Sequence, residues 1–131
     1  MKNMRIIKVI NIEDDAIKHA AIKRALKSNG VLEVDRARNA EEGLDMIDNA
    51  IEKGEPYDLI VLDMQFPVNG VYSKEAGRYV IKELKRKDVE IPIIICSSIN
   101  YEIPDTVGCI FYNKSRNLNW DMKEILKKVI R

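Results

Sequence analysis

Apolar and polar positions along the 131-residue chain alternate between two periods. Residues 5–12 (RIIKVINI) carry a β-branched run of strand length. From 16 to 29, Ile17, Ala20, Ala21, Ala25 and Leu26 recur at helical spacing, and Gly30 stands where a helix stops. Residues 31–37 (VLEVDRA) alternate as a half-buried strand. Asn39 is placed to cap a helix running to about residue 53, with Leu44, Ile47 and Ile51 on one side and Gly54 at its end.

The second half repeats this rhythm. Residues 57–62 form a continuous apolar run, and a helix is predicted over 73–87 from Ala76, Val80, Ile81 and Leu84. Residues 91–96 (IPIIIC) read as a buried strand, 108–112 (GCIFY) as a shorter one, and 118–130 as a closing helix. Strands that are apolar on both faces and alternate with helices imply a parallel sheet covered on both sides. Right-handed crossovers then give a flavodoxin-like, doubly wound α/β domain of five parallel strands in the order 2-1-3-4-5. The whole chain, 1–131, reads as a single domain.

Composition narrows the function. Basic and acidic residues nearly cancel, 22 against 21, so no global field draws the chain to nucleic acid or to an anionic membrane. The amino end has an apolar stretch too short and too interrupted for a secretory signal, and no segment reaches membrane-spanning length. The expectation is a cytoplasmic protein. The two cysteines, Cys96 and Cys109, lack metal-ligand spacing and read as buried thiols in strands of a protein from a reducing compartment.

The chemistry gathers at the carboxyl ends of the predicted strands. The first strand ends in Glu13-Asp14-Asp15 and the third in Asp63. Neighbouring strands lie about 5 Å apart, so these carboxylates converge on the crevice where such sheets bind ligands. Like charges that close require a protonated carboxyl or a cation among them, and an oxygen-only donor set suits Mg²⁺. Asp15 stands where a helix begins and reads as its cap. The fourth strand ends in Ser97-Ser98, and Lys114 follows the fifth. A hydroxyl and an ammonium beside an acid-and-metal site suit the remaining oxygens of a phosphoryl group, with Asp63 as its nucleophile.

These residues resemble the receiver domains of bacterial two-component response regulators. The resemblance lies in the acidic pair Glu13-Asp14, in "DLIVLDMQFP", in "PIIICSS" and in "IFYNK", which follow one another in the family's order along nearly the whole chain. It implies that Asp63 accepts a phosphoryl group from a phosphohistidine, carried by a sensor histidine kinase or a histidine phosphotransfer protein. It implies Mg²⁺ held by Asp14, Asp63, the backbone carbonyl of Gln65 and, through water, Glu13. Lys114 and Ser97 would contact the phosphoryl group, and Ser97 and Phe111 would form the switch read by a downstream protein target. The resulting expectation is a stand-alone receiver, a signalling domain rather than an enzyme, with no direct nucleic-acid contact and no membrane insertion.

Three features depart from that family's pattern. The best candidate for the glycine that the family keeps four residues after the proline of this loop is Gly77, about six residues late, and the extra VNGVYSKEA would lie beside Asp63 and gate donor access. The stretch 97–114 is short and broken by Pro104, so the helix between the fourth and fifth strands is expected to be reduced or missing. Ser115 follows Lys114 where proline is usual. Two rival readings are a degenerate receiver that only binds protein and a Mg²⁺-dependent aspartyl-phosphate hydrolase. The first conflicts with the full set of site residues, the second with Gln65 where a second aspartate is usual. The basic cluster Lys82, Lys85, Arg86 and Lys87 reads as favourable charge at a helix carboxyl end, and so do Lys127, Lys128 and Arg131. His19 reads as a partly packed side chain, and Trp120 as an anchor for the last helix.

Overall fold

A computed structural model describes residues 5–130; residues 1–4 and Arg131 lie outside the described residues. The expected sheet is present. Five parallel strands, β1 (Lys8–Ile12), β2 (Glu33–Ala37), β3 (Leu59–Leu62), β6 (Ile93–Ser97) and β7 (Gly108–Phe111), lie in the order β2-β1-β3-β6-β7. Strands β3 and β6 are buried at every position, as a central parallel strand covered on both faces must be. Helices α1 (Ala16–Ser28) and α4 (Leu118–Ile130) cover one face through Ile22, Leu26, Met122 and Ile125. Helices α2 (Ala40–Glu52) and α3 (Ala76–Arg86) cover the other through Leu44, Ile47, Val80 and Leu84.

Local signals explain most boundaries. The Asn39 side chain accepts the Glu42 N–H at 2.8 Å, and Glu42 reaches back to the Arg38 N–H at 2.7 Å. Asp58 accepts the N–H groups of Ile7 and Lys8 at 2.9 and 3.0 Å, tying the start of β1 to the entry of β3. Three apolar assignments change. Ile17 is 81% exposed, and the buried face of α1 runs instead through Lys18, Ile22, Ala25 and Leu26. Ile51 and Trp120 are also exposed, so Trp120 does not anchor its helix; Met122, Ile125, Leu126 and Val129 do.

The segment after Asp63 differs from the expected single helix. Residues 66–73 form an antiparallel hairpin, β4 (Phe66–Val68) and β5 (Val71–Ser73), ahead of α3. Its turn is Asn69-Gly70, with φ of 51° and 79°, the positive pair that a two-residue hairpin turn requires. Phe66 anchors the hairpin in the core. Between β6 and β7 the described residues contain no helix, in line with the shortened stretch in the sequence. Tyr101 and Ile103 pack against the α2–α3 side of the core there, and the chain turns at Asp105 with φ of 66°.

Candidate functional site

The parallel register places the acids. Ile12 of β1 is paired with Leu62 of β3, so Glu13 and Asp63 leave the sheet side by side. The Asp63 N–H donates to the Ile12 carbonyl at 3.2 Å, and the Glu13 N–H to the Ala37 carbonyl at 2.8 Å. Arg36 of β2 fixes the loop by donating to the carbonyls of Glu13 and Asp14 at 3.0 and 2.9 Å. Oxygen atoms of Glu13, Asp14 and Asp63 all lie within 4.8 Å of one another. Asp15 stands apart as the cap of α1, accepting the N–H groups of Ile17 and Lys18 at 2.9 and 3.1 Å.

One residue at the centre was not foreseen. Lys18, in the first turn of α1 and only 8% exposed, places its Nζ 2.9 Å from Glu13 Oε1 and 3.2 Å from Asp63 Oδ1. It also donates to the Cys96 carbonyl of β6 at 2.9 Å and lies 5.4 Å from the centroid of the Tyr112 ring. Its spacing of four from Ile22 was the available signal, because it continues the buried face of the helix. A lysine at that spacing is more often a solvated side chain, and only its distant partners distinguish the two cases.

A cavity of about 350 Å³ opens over these groups, lined also by Gln65, Tyr72, Ser97, Ser98 and Tyr112. Ser97 is buried, and its Oγ accepts the Ile99 N–H at 3.2 Å. Gln65 accepts the Tyr72 hydroxyl at 3.0 Å, which sets the hairpin at the rim of the crevice. Gly77 docks α3 beneath the loop that follows β3; a Cβ there would meet Met64 Sδ at 2.5 Å and the Asp63 carbonyl oxygen at 2.9 Å. The late glycine thus lets the α3 backbone approach that of Asp63 and Met64 closely.

Lys114 and Phe111 are placed elsewhere. Both line a neighbouring cavity of about 520 Å³ with Arg116, Leu118 and Asp121, and both are exposed. The reason is register. Phe111 is paired with Ser97, so Tyr112 is the residue that reaches the acidic rim, its N–H donating to the Ser97 carbonyl at 2.7 Å. Lys114 lies two residues further on, in a turn that Asn113 closes by accepting the Ser115 N–H at 2.8 Å.

Burial sets the electrostatics. It pushes the Glu13 carboxyl up to about 7, with Lys18 opposing and Asp63 adding to the rise. Burial likewise raises Asp63 against the pull of the Lys18 ammonium and the Met64 N–H, which donates to its Oδ1 at 2.8 Å. Burial works against the charge on Lys18, but Asp63 and Glu13 outweigh it and hold the ammonium above its ordinary range. The Cys96 thiol is driven up to about 12 by burial and is not a nucleophile at neutral pH. The all-oxygen donor set of Glu13, Asp14 and Asp63 fits a small hard cation.

Known proteins with the same pattern were found by sequence and by shape. The family model for the response regulator receiver domain matches residues 9–128. The two-component response regulator ORR41 of Oryza sativa subsp. japonica is 30% identical over 95 residues, covering 72% of this chain and 68% of that protein. The osmosensing histidine protein kinase SLN1 of Saccharomyces cerevisiae is 33% identical over 78 residues, 59% of this chain, and the matched region is 6% of that protein. Among solved structures, the Francisella response regulator 1452 receiver domain superposes with a TM-score of 0.71 at 20% identity, over 94% of this chain and 96% of that one. A CheY-like receiver protein from Methanospirillum hungatei superposes with a TM-score of 0.68 at 19% identity, over 95% of this chain and 94% of that one. Likeness at that identity concerns the fold. No helix among the described residues is long and apolar enough to cross a membrane.

Proposed function

Because the chain belongs to the response regulator receiver family, a family of signalling domains of two-component systems, we propose that it is a phosphorylatable switch whose acceptor is Asp63. The convergence of Glu13, Asp14 and Asp63 at the paired ends of β1 and β3 carries this reading. Asp63 Oδ1 is engaged by the Met64 N–H and by Lys18, which leaves Oδ2 for attack on phosphorus. The bond from Oδ2 to phosphorus forms as the bond from phosphorus to the donor imidazole nitrogen breaks. The electron pair leaves with the imidazole, which takes a proton from water.

Asp14, Asp63 and the Gln65 carbonyl would hold Mg²⁺, with Glu13 acting through water. When bound, that ion supplies positive charge for the oxygens of the incoming phosphoryl group. Ser97, buried at the end of β6 and lining the same cavity, would donate its hydroxyl to one of those oxygens. A histidine kinase or histidine phosphotransfer protein is the donor in this reading, and a protein that recognises the β6–β7 side is the target. Such a switch shifts a population through new contacts to the phosphoryl group. Incubation with acetyl phosphate and Mg²⁺ followed by intact-mass measurement tests it. One phosphoryl adduct is expected on the native chain and none on Asp63→Asn; an adduct that survives the substitution overturns the assignment.

A further inference from the structure

We propose that Lys18, not Lys114, is the cation that receives the phosphoryl group at Asp63. This rests on Asp63 as acceptor and assigns a residue to the one role that the strand-end pattern leaves displaced. Lys18 Nζ already lies 3.2 Å from Asp63 Oδ1, and its remaining polar contacts are Glu13 Oε1 and the Cys96 carbonyl, each at 2.9 Å. Lys114 is exposed in the turn after β7 and lines the neighbouring cavity with Phe111 and Arg116.

Burial opposes the charge on Lys18, and the Glu13 and Asp63 carboxylates hold it there. The first turn of a helix also carries the positive end of the dipole, which repels a cation. A charge kept there against both effects is well suited to neutralise an anion that arrives at the same point, because it needs no reorganisation when the anion forms.

Tyr112 completes the exchange of roles. The register of β7 brings this tyrosine to the rim, and the Lys18 Nζ lies 5.4 Å from the centroid of its ring. The Lys18 ammonium, entering from α1, thus stands among the ends of β1, β3 and β6 and beside the first residue after β7. Its hydrogen bond to the Cys96 carbonyl, one residue before Ser97, also ties the acceptor to β6.

With acetyl phosphate, Asp63 Oδ2 attacks phosphorus, the bond from phosphorus to the acetyl oxygen breaks, and acetate leaves with the electron pair. No proton moves. Lys18 keeps its three protons and donates N–H groups to the phosphoryl oxygens as charge builds on them.

The test compares Lys18→Met and Lys114→Met with the native chain by the initial rate of adduct formation, with folding of each variant checked by circular dichroism. Lys18→Met is expected to fall by about 10²-fold, the loss typical for one preorganised donor to a developing anion, while Lys114→Met stays close to native. A second measurement needs no variant: in the native chain, the side-chain NMR signal of Lys18 should move on adding beryllofluoride with Mg²⁺, and that of Lys114 should not. Native-like rates in Lys18→Met, or a shift confined to Lys114, overturn the inference while leaving Asp63 as acceptor. Absence of an adduct on the native chain would remove the acceptor reading itself, and this inference with it.

Discussion

Along the carboxyl rim of the sheet, the β1–β3 side and the β6–β7 side are built to different standards. On the first, Lys18 pairs with the Glu13 and Asp63 carboxylates, the Met64 N–H donates to Asp63, Arg36 fixes the Glu13-Asp14 backbone, and α3 presses Gly77 against the loop from below. On the second, the described residues contain no helix between β6 and β7, Phe111 is 37% exposed, and Lys114 stands in an open turn. Group transfer fails when distances drift by about an ångström, so the acceptor role proposed for Asp63 would demand this over-determination. A surface read by a partner has no such requirement, since partner and surface can change together.

The largest effect that would break this contrast is in the core. Phe66→Ala, at the fully buried root of the hairpin, should cost about 3–5 kcal/mol, whereas Phe111→Ala should stay within about 0.5 kcal/mol. Urea midpoints of the two variants measure it, and equal losses would mean that the β6–β7 side is as tightly built as the acid side.

Next in size is a pH effect confined to the acid side. The folded Glu13 carboxyl, raised from 4.5 to about 7, binds more protons than its unfolded counterpart between those values. Its contribution is therefore full below pH 4.5 and is lost as pH rises toward 7. In chelator, the native chain should lose on the order of 2–3 kcal/mol more across that window than Glu13→Gln, as followed by denaturant titration at each pH. Parallel curves would show that Glu13 is not buried as described.

Gly77→Ala follows, at about 1–3 kcal/mol, because its Cβ would meet backbone atoms that cannot rotate away. The adduct rate should fall with it, since the displaced atoms belong to Asp63 and Met64; a stable variant with a native rate would separate α3 docking from the acceptor. The smallest effect expected is at the hairpin rim. Tyr72→Phe removes only an exposed hydroxyl contact to Gln65 and should leave the unfolding midpoint within about 0.5 kcal/mol of native.

The fold was legible because its strands announce themselves twice, by β-branched runs and by regular interruption with helices. Asp63, Glu13 and Asp14 were legible for a related reason: a carboxylate directly after an apolar central strand can only emerge at the rim. The hairpin was missed although Val68-Asn69-Gly70-Val71 carried its turn signal, because strands of three residues leave no alternation to count. Lys114 was assigned to the crevice by order along the chain, and the paired register of Phe111 with Ser97 moved it two residues beyond.

By itself the sequence determined which segments form the parallel sheet and its covering helices, that Asp15 and Asn39 cap two of them, and which strand ends carry acids. Those properties depend on residues within a turn or two of each other. The tertiary structure alone decided that Lys18 is buried among carboxylates rather than solvated. Its partners lie on three separate strand ends, one of them 78 residues away at Cys96, and no local pattern encodes the register that brings them together.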